Sequence, residues 1–189
     1  MPRLRTCCVL YVGRVHGVTQ LDDIAYVVSH RSSIIKMYTA DTLGPLGEGI
    51  HVEGMKDPRD IVACRHDRQL YVADKDYCIW RVSADDHSKY INWLPTEAAT
   101  DRFYVRSLSL TSSGLLVTSR FRSLCEYNTV DAQLLREVQL PQFVSELYHG
   151  VETSRGTFVV AHRGTSRKKL QFAVYIREFF CCHLSLYTA

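Results

Sequence analysis

The stretch QLYVADKDYCIWRVS, residues 69–83, alternates apolar with small or polar positions on both sides of a polar turn. That alternation predicts two β-strands, each with one buried face, joined as a hairpin. A lone hairpin buries too little to be stable in water, so this one needs something to pack against. The same pattern returns along the chain. IAYVVS (24–29), GLLVTS (114–119) and TFVVAH (157–162) align with QLYVAD and put Tyr26, Tyr71, Leu116 and Val159 at steps of 45, 45 and 43. IKMYT (35–39), IWRVS (79–83) and LCEYN (124–128) align Tyr38, Val82 and Tyr127 at steps of 44 and 45.

A further element precedes each hairpin. HGV (16–18), RDI (59–61), RSL (106–108) and HGV (149–151) step by 43, 47 and 43. A looser strand follows in three copies, near Ile50, Tyr90 and Arg136. Clusters of glycine, proline and aspartate separate the pieces, as turns require. Apolar stripes at helical spacing are absent. The unit is therefore four strands in about 44 residues, the length of a β-propeller blade. The expected fold is all-β, an incomplete propeller of about four four-stranded antiparallel blades, near 14–55, 56–104, 105–144 and 145–176. The propeller part spans 10–169. Strand one of each blade lies nearest the axis, where space is tight. Gly17, Asp60, Ser107 and Gly150 share one position there and are all small.

The second copy, Pro58 to Ile61, then Leu70 to Asp74, then Ile79 to Val82, resembles the repeat of NHL-type propellers, which have a Pro-x-Gly-Ile-like first strand and a LYVAD second strand. The resemblance covers residues 14–165 and implies a six-bladed parent fold. It also implies a tripartite-motif ubiquitin ligase as a candidate parent, with any ligase chemistry in zinc domains upstream of this chain. Two departures stand out. The chain has room for about four blades, and LQFAVYIREFFCCHLSLYTA (170–189) has no glycine, no turn signal and no recognisable fourth strand. The expectation for 170–189 is a divergent apolar C-terminal segment, either the end of a truncated or misassembled chain or the apolar last strand of a divergent blade, with self-association through open blade edges as a further outcome.

Composition narrows the class. Hydrophobic residues at 46% and charged residues at 23% fit an ordinary globular chain and not a disordered one. No apolar run approaches the roughly 20 residues of a membrane-spanning helix, so no membrane partner is expected. Seven cysteines, two pairs of them adjacent, are not a spaced disulfide framework. With no glycosylation sequon, a cytoplasmic location is expected.

A net charge of +3 does not by itself imply nucleic acid. Its distribution changes the picture. Loops of a propeller alternate between two faces. Sorting the turns puts Arg14, Arg31, Arg59, Lys75, Arg106, Arg120, Arg122, Arg163, His16, His30 and His149 on one face, together with Asp57, Asp60, Asp74 and Asp76. Asp22, Asp23, Asp41, Asp85, Asp86 and Asp131 fall on the other. The predicted binding residues are Arg59, Lys75, Arg106, Arg120 and Arg122, with Tyr77 and Phe121 as stacking or anchoring groups. They point to a non-catalytic interaction module with a protein partner first and RNA second, since fixed cations take acidic segments and phosphates alike.

The enzymatic alternative is a lactonase-like, metal-dependent hydrolase at the central channel. Asp60 and Glu152 are the carboxylates nearest the axis, but calcium takes six to eight oxygen ligands and the chain has only two asparagines, both off the axis. Cys64 with His66, and Cys182 with His183, lack a second pair at zinc spacing. No catalytic residue, metal ligand or cofactor is expected. Asp60 is expected to cap a backbone group or to pair with Arg59.

Overall fold

The computed structural model describes residues 14–75, 78–94, 104–120, 123–140, 144, 146–163, 170–175 and 181–184, with the backbone alone at 139, 170–175 and 181–184. Among the described residues, sixteen strands form four antiparallel sheets of four, each in sequence order. The first sheet holds β1 (Val15–Leu21), β2 (Ile24–Ser29), β3 (Ile34–Thr39) and β4 (Ile50–His51). The second holds β5 (Asp60–Cys64), β6 (Gln69–Ala73), β7 (Ile79–Ser83) and β8 (Tyr90–Leu94). The third holds β9 (Val105–Leu110), β10 (Leu115–Ser119), β11 (Ser123–Tyr127) and β12 (Leu134–Gln139). The fourth holds β13 (Glu146–Glu152), β14 (Phe158–Arg163), β15 (Leu170–Tyr175) and β16 (Cys181–Leu184). This is the all-β blade pattern that the repeat predicts. No helix among the described residues is long and apolar enough to cross a membrane.

The fourth sheet reaches past the expected blade boundary at 176 only with β16. The segment from Leu170 pairs as β15 on β14 and as β16 on β15, with Phe172 opposite Leu184. Backbone pairing needs β-tolerant residues in an extended stretch, and LQFAVY supplies them without the turn residues that mark the other copies.

Alternation along β6 explains the hairpin of residues 69–83. Leu70 and Val72 point to one side and join Tyr26, Val28, Ile35 and Ile61 in a core between the first two sheets. Tyr71 and Ala73 point to the other and join Trp93, Leu108, Leu115 and Val117 between the second and third. Fully burying a side chain such as Leu70 or Val72 contributes about 1.5–3 kcal/mol. Leu116, Leu124, Leu147, Phe158 and Val160 join the third sheet to the fourth. A smaller cluster, Ala25, Val27 and Tyr38, lies on the far face of the first sheet. Trp93 is buried edge-on against Tyr71 at 5.1 Å between ring centroids.

The first strands lie side by side in the order β1, β5, β9, β13. Polar contacts tie them together. The Ala63 N–H donates to Thr19 Oγ1 at 3.1 Å, the Leu108 N–H donates to Asp60 Oδ2 at 2.9 Å, and Ser109 Oγ donates to the Gly150 carbonyl at 2.7 Å. Near the opposite face, Arg136 stands between two carboxylates of adjacent sheets, bonding Glu126 and, at 3.1 Å, Glu152. Both carboxylates are almost wholly buried, and the guanidinium lies 4.6 Å from the Phe158 ring centroid.

Removing the cation from that triad strands two buried anions. Arg136→Met is expected to cost about 3–5 kcal/mol, read as a lower urea midpoint. A loss under about 1 kcal/mol, the range of surface ion pairs, would contradict this account of the seam.

Candidate binding site at the channel mouth

Two positions of the repeat are basic in every copy. One is the start of strand one: His16, Arg59, Arg106 and His149. The other directly follows the aligned second-strand motif: His30, Lys75, Arg120 and Arg163. Because the four first strands converge, side chains far apart in sequence meet at one end of the axis. A cavity of about 560 Å³ opens there, lined by all four sheets. Arg14, Arg59, Arg106, Arg120 and Arg163 contribute five guanidinium groups, His16 an imidazole, and Tyr104 and Tyr148 two phenol rings. Glu146 is the carboxylate in this lining.

The cations are held in place by contacts on the rim. Arg120 reaches Glu146 at 3.0 Å and Arg163 reaches the other oxygen of the same carboxylate at 3.3 Å. The bond from Arg120, with the charges of Arg163 and Arg106, holds the Glu146 carboxyl below the usual glutamate range. Arg106 lies over the Tyr148 ring, 4.2 Å from its centroid. Arg59 pairs with buried Asp57 at 2.8 Å. One carboxylate thus faces five arginines, and the mouth has a net positive field suited to an anion.

Of the sequence-predicted residues, Arg59, Arg106 and Arg120 line this mouth. Lys75 does not line it; its backbone N–H binds Asp57 O and Asp74 Oδ1 at the link into the second sheet. Tyr77, Phe121 and Arg122 lie outside the described residues. The sequence reading placed Arg14 and Arg163 on the basic face without choosing them as binding residues, and it did not name Glu146, Tyr104 or Tyr148. Arg163 carried a signal, since it occupies the same repeat position as Arg120. Both tyrosines sit within two residues of a strand-one motif, which also was legible.

The axial carboxylates are spent elsewhere. Asp60 accepts from the Ile61 and Leu108 N–H groups, each at 2.9 Å, which is the backbone cap expected of it. Burial pushes its carboxyl above the usual aspartate range, against the pull of those two bonds and of His149. Glu152 accepts from the Ser112 N–H and hydroxyl and from Arg136. Cys64 and Cys78 are buried free thiols, as small core residues. On the opposite face Arg68 bridges Asp22 at 2.6 Å and Asp85 at 2.7 Å.

No family model matches the sequence, and no curated protein matches it. Solved structures do match in fold. The computationally designed Ika4 protein superposes with a TM-score of 0.64 at 13% identity, over 93% of this chain and 99% of that one. The WD40 beta propeller domain of Doa1 gives 0.60 at 15% identity, over 84% of this chain and 50% of that one. The extracellular domain of a hybrid two-component system from B. thetaiotaomicron gives 0.64 at 12% identity, over 93% of this chain and 22% of that one. The chain therefore spans nearly all of the first and half or less of the other two. These likenesses show a β-propeller fold. They do not single out the NHL type.

The rim charges set a pH dependence. Burial opposes ionisation of Asp57, but the Arg31 N–H bond and the charges of Arg59, His30 and His16 outweigh it and hold the carboxyl low. A carboxyl lowered in the folded state adds stability above its unfolded value, near 4, and loses it as pH falls through the folded value. Glu146 and Glu152 act in the same direction. The urea midpoint is expected to drop as pH falls from about 5 to about 3, and less steeply in Asp57→Asn. Identical pH slopes in the two proteins would contradict this assignment.

Proposed function

We propose that the chain is a non-catalytic interaction module that binds an acidic segment of a partner protein at the channel mouth. The observation that carries this reading is the convergence of five arginines from four sheets on one cavity of about 560 Å³. Guanidinium groups match carboxylates in a planar, paired geometry. Arg106 is pre-placed on Tyr148 and Arg120 on Glu146, so little side-chain freedom is lost when a ligand arrives. The two tyrosines add apolar area beside the charges, as protein-binding surfaces do.

Anisotropy of a fluorescent polyglutamate peptide at low salt tests this. Saturable binding that weakens with salt is expected. Arg106→Ala with Arg120→Ala should weaken it about tenfold or more, since charge-assisted hydrogen bonds of about 1.5–3 kcal/mol each are lost. Glu146→Gln should strengthen it, because the mouth loses its opposing charge. Absence of binding at low salt would overturn the proposal. Tighter binding of single-stranded RNA at equal salt, lost in the same double variant, would replace the acidic protein segment with RNA.

A further inference from the structure

The first sheet departs from the others at the two basic repeat positions. It alone carries imidazole at both, His16 and His30, where the second sheet has Arg59 and Lys75 and the third has Arg106 and Arg120. A guanidinium has no lone pair to offer an ion, whereas a neutral imidazole does. The two rings lie 5.1 Å apart between centroids. One nitrogen of each and a carboxylate oxygen of buried Asp57 all lie within 4.8 Å of one another.

Three details distinguish this cluster from an ordinary ion pair. His30 Nδ1 is buried and stands 2.9 Å from Asp57 Oδ1, yet no hydrogen bond satisfies that nitrogen. A donor pair at this spacing fits two adjacent ligands of one ion, for which bonds of about 2.0–2.2 Å separate the donors by about 3 Å. His16 Nδ1 donates to the Pro58 carbonyl at 2.7 Å, which fixes the tautomer and leaves Nε2 with its lone pair. The carboxylate is oriented by the Arg31 N–H at 3.0 Å on Oδ1 and by Arg59 at 2.8 Å on Oδ2.

We propose that His16, His30 and Asp57 form a zinc site at the rim of the channel. Two imidazole nitrogens and one carboxylate oxygen suit Zn²⁺, and not the oxygen-only preference of calcium or magnesium. Three protein ligands leave a fourth position for water or for an anionic group. The ligands come from β1, from the residue after β2 and from the link before β5. The ion therefore ties the first sheet to the second. The nearby arginines oppose a cation, and the site accordingly takes its metal as neutral imidazoles plus one charged carboxylate.

The test is titration of the full chain with Zn²⁺, and with Co²⁺ for its visible spectrum, at about pH 7.5, because metal binding competes with protons for its ligands. One ion per chain is expected, with ligand-field bands and no thiolate charge-transfer band. Zn²⁺ should raise the melting temperature. His16→Gln should weaken binding at least about tenfold. His30→Arg is the sharper variant. It installs the cation that the third sheet carries at this position and keeps an ion pair with Asp57, so the variant should fold without metal and lose the Zn²⁺-induced thermal shift. Absence of saturable binding, a thiolate band, or a thermal shift that persists in His30→Arg would each overturn the proposal.

Discussion

The close approach of the four first strands is the constraint on which the rest of this structure depends. A Cβ atom at Gly17 would sit 2.8 Å from the Ile61 nitrogen, so β1 and β5 leave no room for a side chain there. At Gly150 the same atom would meet the Leu124 side chain at 2.9 Å. Between those positions Asp60 spends its carboxylate on backbone N–H groups of its own strand and the next. Strands packed this tightly leave no room for large side chains at the axis. The bulky residues go to the flat faces of the sheets, where they form the cores between neighbours.

The same convergence makes the candidate site. His16, Arg59 and Arg106 of the strand-one motif line the mouth from three sheets, and Arg120 and Arg163 beyond strand two join them from the third and fourth. Repetition then turns two basic positions into a ring of cations. The sheets do not use the ring in identical ways. The third and fourth place guanidinium groups around Glu146, while the first places two imidazoles beside Asp57. One scaffold thereby presents fixed positive charge on one side of the rim and metal-binding donors on the other.

The inner part of the fold was legible because hairpin alternation and the 43–47-residue steps survive divergence of the letters. The outermost strands were harder. β4 is only Ile50–His51, and β15 and β16 lack the turn residues that punctuate the earlier copies. The site was legible in the residues that recur by repeat position, Arg59, Arg106 and Arg120. It was not legible in Glu146, whose importance lies in meeting Arg120 and Arg163 from two different strands. Spacing along the chain carries no record of that meeting. Lys75 shows the converse, since it shares the repeat position of Arg120 but does not line the mouth.

The most direct test of this account is Gly17→Val, measured both for stability and for binding of an acidic peptide. The added side chain must push β1 away from the backbone of β5, which is expected to cost about 1–3 kcal/mol in the urea midpoint. Because Arg14 and His16 flank this position and line the mouth, peptide affinity should fall with stability. Unchanged stability would contradict the tight packing of the first strands. A destabilised protein that binds the peptide as before would show that the mouth does not depend on their convergence.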